Sequence, residues 1–200
     1  MSTLFDPYNA TDTQRSDEDL ELFLLFCICV AGKKATTIAK ALQRLLELSP
    51  LKGSPFQRIE ALNRQPGSLR NALHESRMGK YSLLEKALPM IVASGLDLRT
   101  CSGDDLMKIP GIGFKTSRFF ILHSRQNARV AVIDTHILKY LRDIGVQDVP
   151  NTIPSTRKQY ERLEAIILDR CSQTSLSPAQ FDLRVWTWYS KGNSGRPIGL

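Results

Sequence analysis

Residues 106–134 read LMKIPGIGFKTSRFFILHSRQNARVAVID. Leu106, Ile109 and Ile112 recur every third residue, Pro110-Gly111 and Gly113 interrupt the chain, and a helical pattern resumes at Phe114. This is the pattern of two short helices held at an angle by apolar residues, with a hairpin between them over 106–124. The two glycines are expected to turn the backbone tightly with φ > 0. Amides exposed at such a turn and at the next helix start form a concave anion site, where a phosphodiester can approach only if no side chain intervenes. Gly111, Ile112 and Gly113 are therefore candidate phosphate-binding residues, with Arg118 one turn further on as an added cation. A Walker A loop is excluded, because Phe114 separates Gly113 from Lys115 and no glycine stands five positions before Gly113.

Lys115 falls in the first turn of the second hairpin helix, where the helix dipole opposes a cation by ~0.3–1 kcal/mol. Local preference does not put a lysine there, so a function is the better explanation, although most lone lysines are solvated surface groups. Asp134 follows the extended run Val130–Ile133 and fits an N-cap for a helix with Ile137, Leu138, Leu141 and Ile144 inward. A plain cap is its bland reading. For a lysine to act as an uncharged nucleophile its proton must be released, chiefly by desolvation in a closed cleft. His136, two residues on, is read as a local packing or hydrogen-bonding group.

Outward from this core the chain reads as all-α. Ser16 and the acids after it start a helix that is apolar on nearly every side from Leu22 to Ala31, hence buried all round. Helical patterns follow through Ile38–Leu45, at 55–64, 68–76 and 80–94, with Pro89 inside the last and Gly95 at its end. Ser102 caps a short helix through Lys108, Ser155 to Cys171 is amphipathic, and Ser177-Pro178-Ala179-Gln180 reads as a capping box. The last helix carries Phe181, Val185, Trp188 and Tyr189 on one face, with Trp186 beside them. Residues 1–15 read as a mobile tail or surface strap, and 192–200 as a flexible tail.

The chain has 200 residues and is 42% hydrophobic, enough to bury a core in one domain or two small ones. A charge of +7 from 27 Lys+Arg against 20 Asp+Glu favours a polyanionic partner. The longest apolar run is too short to span a bilayer and no basic segment precedes it, so a cytoplasmic protein without membrane association is expected. Cysteines at 27, 29, 101 and 171 lack the spacing of zinc or iron–sulfur sites, so no metal or other cofactor is expected.

The run IPGIGFKTS followed by VAVIDTHILKYL resembles the helix-hairpin-helix DNA glycosylases, over residues 105–145. Weaker similarity, in FLLFCICVAGKKA, ESRMGKYSLLEKA and FDLRVWTWYSKG, is to the type-2 8-oxoguanine DNA glycosylase/AP lyases of archaea and some bacteria. The resemblance implies Lys115 as nucleophile and Asp134 as its carboxylate partner. It also implies two helical subdomains flanking a cleft, 16–32 plus 149–191 and 33–148. A base pocket is expected from Gly32, Phe181, Asp182, Trp186, Trp188 and Lys191, with Lys191 or Arg196 standing in for a base-reading lysine at the family's C-terminus. The implied function is excision of an oxidised purine, with 8-oxoguanine the first candidate, and β-elimination through a lysine Schiff base. The implied partner is double-stranded DNA containing a damaged base, bound by a monomer beside the chromosome of a prokaryotic cell. The alternatives are a non-catalytic helix-hairpin-helix DNA-binding module, for which the glycines alone suffice, and a glycosylase/lyase for a different lesion.

Overall fold

The computed structural model describes residues 10–195 and 197, and among these every regular element is a helix. The helices are α1 (Asp17–Val30), α2 (Ala35–Glu47), α3 (Pro55–Asn63), α4 (Ser68–Glu75), α5 (Tyr81–Ala93), α6 (Gly103–Met107), α7 (Phe114–Ser124), α8 (Thr135–Asp143), α9 (Arg157–Ser172) and α10 (Pro178–Ser190). Their starts follow local chemistry. Ser16, Ser54, Ser102, Asp134 and Ser177 each accept a hydrogen bond from an amide in the first turn of the helix they precede. Ser54, Ser102 and Ser177 form complete capping boxes.

The chain divides into two compact units, one ending at Ile112 and the other beginning at Gly113. The hairpin thus contains the covalent link between them. In the first unit α1 packs on α2 and α3, while α3 and α4 both pack on α5. Every residue of α1 from Leu22 to Cys29 is buried, as its all-round apolar sequence requires. Each such leucine or phenylalanine contributes ~1.5–3 kcal/mol of transfer free energy. α1 thus finds its apolar partners in α2 and α3.

In the second unit α10 is central and touches α7, α8 and α9. Its core is Tyr140, Tyr160, Leu163, Ile167, Phe181, Val185 and the apolar residues of α8. The run Val130–Ile133 belongs to no helix or strand, and Ala131, Val132 and Ile133 are all buried.

The described residues at both chain ends are packed against the helices, at the N-terminus as a strap. Residues 10–15 are packed: Ala10 is buried, and the Arg15 guanidinium lies 4.0 Å over the Phe23 ring and donates to the carbonyls of Ala10 and Asp12. Arg99 reinforces this by binding the Arg15 carbonyl and the Asp17 carboxylate. At the other end, Gly195 donates to Asp143 Oδ2 at 3.0 Å, and its carbonyl accepts from Trp188 Nε1 and the Tyr189 hydroxyl. Lys139 Nζ donates to the Asn193 carbonyl at 2.8 Å. Glycine-rich composition suggested freedom here, but the Asn193 carbonyl and both backbone polar groups of Gly195 are taken up by side chains of α8 and α10. The remainder of both tails, 1–9, Arg196 and 198–200, lies outside the described residues.

Candidate active site

The first arm of the hairpin is built by the Ser102 capping box, in which Asp105 Oδ2 accepts from the Ser102 amide at 3.1 Å. Lys108 pairs with the same carboxylate at 2.8 Å. These bonds hold the Asp105 carboxyl well below the usual carboxylate range. Leu106, Ile109 and Ile112 are buried, while Gly111 and Gly113 are exposed. Gly111 has φ +86°, and a Cβ there would come within 3.0 Å of a Leu83 methyl. Glycine is thus needed at 111 on two grounds.

Gly113 is different, and the expectation of φ > 0 at both glycines is corrected. Its backbone is extended, with φ −104° and ψ −171°, and a Cβ would meet nothing within 4 Å. It is the N-cap of α7, and among the described residues no side chain caps that helix. What the glycine leaves there is open space in front of unsatisfied amides.

Lys115 stands at the second position of α7, half-buried, with Nζ 5.2 Å from the centre of the Phe119 ring one turn ahead. Phe119 leans on His123 at 4.6 Å, and the fully buried His123 holds Asp182 Oδ2 at 3.2 Å through Nε2. One face of α7 therefore runs from Lys115 through Phe119 to His123 and meets α10 at Asp182.

Asp134 closes the circuit. Its Oδ1 accepts from the amides of His136 and Ile137, both at 2.9 Å. That double cap fixes one oxygen and leaves Oδ2 without a hydrogen bond among the described residues. Burial, then the negative charge of Asp182, push the Asp134 carboxyl up from its ordinary value; the bond from Ile137 and the charges of Lys115 and His136 oppose them. An amine, a carboxylate with one uncommitted oxygen and a second carboxylate thus share one electrostatic neighbourhood. Such a set can pass a proton from amine to carboxylate and stabilise positive charge developing at a bound substrate.

The other expected site residues divide. Trp186 is 39% exposed and sits edge-on to His136 at 6.4 Å, close to the cap of α8. Trp188 instead packs against the core and donates to the Gly195 carbonyl, and Lys191 lines a separate groove with Leu183, Arg184, Trp188, Asn193 and Pro197. None of Lys115, Asp134, Asp182 or Trp186 lines that groove. Gly32, with φ +72°, lies in the turn after α1, where Lys80 Nζ donates to the neighbouring Ala31 carbonyl and Lys33 Nζ to the Met78 carbonyl.

Two expectations fail on burial. Phe181 is 1% exposed and packs edge-on against Tyr140 at 5.4 Å, so its ring belongs to the core and offers no stacking face. Arg118 is 9% exposed, with Nε 3.6 Å from Glu164 and its guanidinium carbon 5.6 and 5.7 Å from the centres of the Phe114 and Tyr160 rings. Its charge is answered inside the protein and is not offered to a phosphate. Conversely, sequence reasoning missed Phe119 and His123. Their offsets of four and eight from Lys115 were a usable signal, because they put all three on one face of the helix.

The family model for 8-oxoguanine DNA glycosylase matches residues 1–176. An 8-oxoguanine DNA glycosylase/AP lyase of Korarchaeum cryptofilum is 25% identical over 179 residues, covering 88% of this chain and 82% of that protein. A namesake from Methanocaldococcus jannaschii is 32% identical over 79 residues, 39% of this chain and 37% of that protein. Among solved structures, the M. jannaschii 8-oxoguanine glycosylase/lyase in complex with a 15mer DNA containing 8-oxoguanine has the same fold. It gives a TM-score of 0.59 at 21% identity, covering 89% of this chain and 84% of that one. With the family match extending over most of its length, and with helices throughout its described residues, the chain belongs to the 8-oxoguanine DNA glycosylase family.

Proposed function

We propose that this protein excises 8-oxoguanine from duplex DNA and cleaves the strand at the resulting site through a lysine Schiff base. The observation that carries the reading is the Asp134 carboxylate, pinned by two amides at 2.9 Å in the electrostatic neighbourhood of Lys115. A helix cap alone needs no lysine beside it. The names of the archaeal relatives, 8-oxoguanine DNA glycosylase/AP lyase, support the choice of lesion and of the coupled activity.

In this reading the damaged nucleotide is flipped out of the helix. The unprotonated Lys115 amine attacks C1′ as the glycosidic bond breaks and its electron pair leaves with the base. The ionised Asp134 carboxylate stabilises the positive charge developing at C1′ and then takes the proton from the newly formed C–N ammonium. The sugar ring then opens to a Schiff base on Lys115. Loss of a proton from C2′ and departure of the 3′ phosphate complete β-elimination and cut the strand on the 3′ side. Gly111, Ile112 and Gly113 hold a backbone phosphate with amides at the open start of α7. Asp182 and Trp186 face the base. The protein acts as a monomer on chromosomal DNA in the cytoplasm.

The test is incubation of wild type and Lys115→Gln with duplexes carrying a panel of base lesions, with and without borohydride. Wild type is expected to form a covalent complex preferentially with the 8-oxoguanine duplex, and Lys115→Gln to form none. Base release without trapping excludes the lyase half. Trapping on another lesion reassigns the substrate, and the absence of both activities with DNA binding retained favours a purely DNA-binding module.

A further inference from the structure

The run that delivers Asp134 has no strand beside it among the described residues, so its buried amides and carbonyls need partners from side chains. They come from one face of α9. The Tyr160 hydroxyl accepts from the Ile133 amide at 2.9 Å and donates to the Ala131 carbonyl at 3.2 Å. One turn later, Glu164 Oε1 accepts from the Ala131 amide at 3.0 Å. Three polar groups of a three-residue segment are thus held by two side chains four positions apart.

The same two side chains also grip α7. The Tyr160 ring stacks on Phe114 at 5.2 Å, and Glu164 faces Arg118 Nε at 3.6 Å. Phe114 immediately precedes Lys115, and Ile133 immediately precedes Asp134. Tyr160 is fully buried and Glu164 is 9% exposed, so neither touches a substrate. Burial also pushes the Tyr160 phenol up from its ordinary value, which keeps it protonated and able to donate.

We propose that Tyr160 and Glu164 are positioning residues for the reaction: by bracing the residues next to Lys115 and Asp134, they set the separation of amine and carboxylate. The inference rests on reading those two as the reacting pair. A side chain that only filled the core would need its ring, not its hydroxyl, and would not bridge both neighbours. The hydroxyl is the part that fixes Ile133, while the ring supports Phe114.

Tyr160→Phe separates the two roles, since it keeps the ring and removes the hydroxyl. The expected result is a base-release and borohydride-trapping rate lower by roughly 10-fold or more under single-turnover conditions, because small misplacements of reacting groups are costly. Affinity for the lesion duplex, and the shape of the pH profile, are expected to stay those of wild type. Glu164→Ala is expected to slow the same step. Glu164→Gln, which still presents an oxygen to the Ala131 amide, is expected to recover most of the rate.

Wild-type rates in Tyr160→Phe overturn the proposal. So do losses of rate and affinity that track the unfolded fraction and vanish on cooling, or equal rates in the Glu164→Ala and Glu164→Gln proteins. If Tyr160→Phe does not fold, the Glu164 pair decides on the same criteria. Lys115→Gln is measured alongside: trapping retained in that variant refutes the reacting pair itself, whereas trapping lost there with Tyr160→Phe unimpaired refutes only the brace.

Discussion

The starts of α7 and α8 are eleven and nine residues of helix introduced in opposite ways. α8 begins on Asp134, whose carboxylate bends back to two of its own amides. α7 begins on Gly113, which offers no side chain, and the first turn then carries a cation against the dipole. One helix start is capped by its own side chain; the other has no side-chain cap among the described residues. The difference shows how neighbouring elements of one fold divide the work. In the function proposed above, the closed start would fix a reacting group, and the open start would seat a phosphate and present the lysine.

The largest expected effect comes from removing the charge at the closed start while preserving the cap. Asparagine caps about as well as aspartate, so Asp134→Asn is expected to fold and bind lesion DNA normally. Its single-turnover base release should fall by roughly 100-fold or more, the usual cost of losing a group that stabilises transition-state charge. Retained activity would reduce Asp134 to the plain cap that α8 requires in any case.

Closing the open start is the next test. Gly113→Asp fits the extended backbone and meets no neighbour, so it should turn α7 into a copy of α8. Thermal stability is expected to rise by a few tenths of a kcal/mol. Duplex affinity is expected to fall, with the salt dependence shallower by about one phosphate contact. Higher stability with unchanged affinity would show that the open amides do not seat a phosphate.

A smaller effect concerns pH. Asp134 is harder to ionise in the folded protein than in the unfolded chain, where its ordinary value is 3.8. The folded state is therefore favoured while the group is protonated, below that ordinary value, and the advantage disappears as pH rises through the higher folded value. Thermal unfolding across this window is expected to show wild type losing stability relative to Asp134→Asn. In activity, the acid limb of the base-release profile is expected to lie above the ordinary carboxylate range. Asp182→Asn, by removing the like charge, is expected to move that limb to lower pH. An unmoved limb would separate Asp182 from Asp134.

What was legible in the sequence was mostly local. Serine caps, the Pro178 start, the all-round apolar α1 and the Asp134 cap are written within four or five residues, and so are Lys115 and the Gly111 turn. Arg118 and Phe181 were misplaced because exposure is decided by distant partners. Glu164 lies 46 positions from Arg118, and Tyr140 lies 41 from Phe181. Tyr160 read only as one apolar position on an amphipathic helix, since nothing nearby announces that its hydroxyl serves Ala131 and Ile133. The segment 193–195 looked free for the same reason: its partners Asp143 and Lys139 lie some fifty residues earlier. Gly113 and Gly111 share a residue type and differ in conformation, which spacing alone does not distinguish.

The most direct test of the central claim is to locate the covalent bond. After borohydride reduction of wild-type protein on an 8-oxoguanine duplex, nuclease and protease digestion followed by mass spectrometry should place the sugar remnant on the peptide containing Lys115. A remnant on any other lysine, or on the amino terminus, would contradict the assignment and with it the division of labour between the two helix starts.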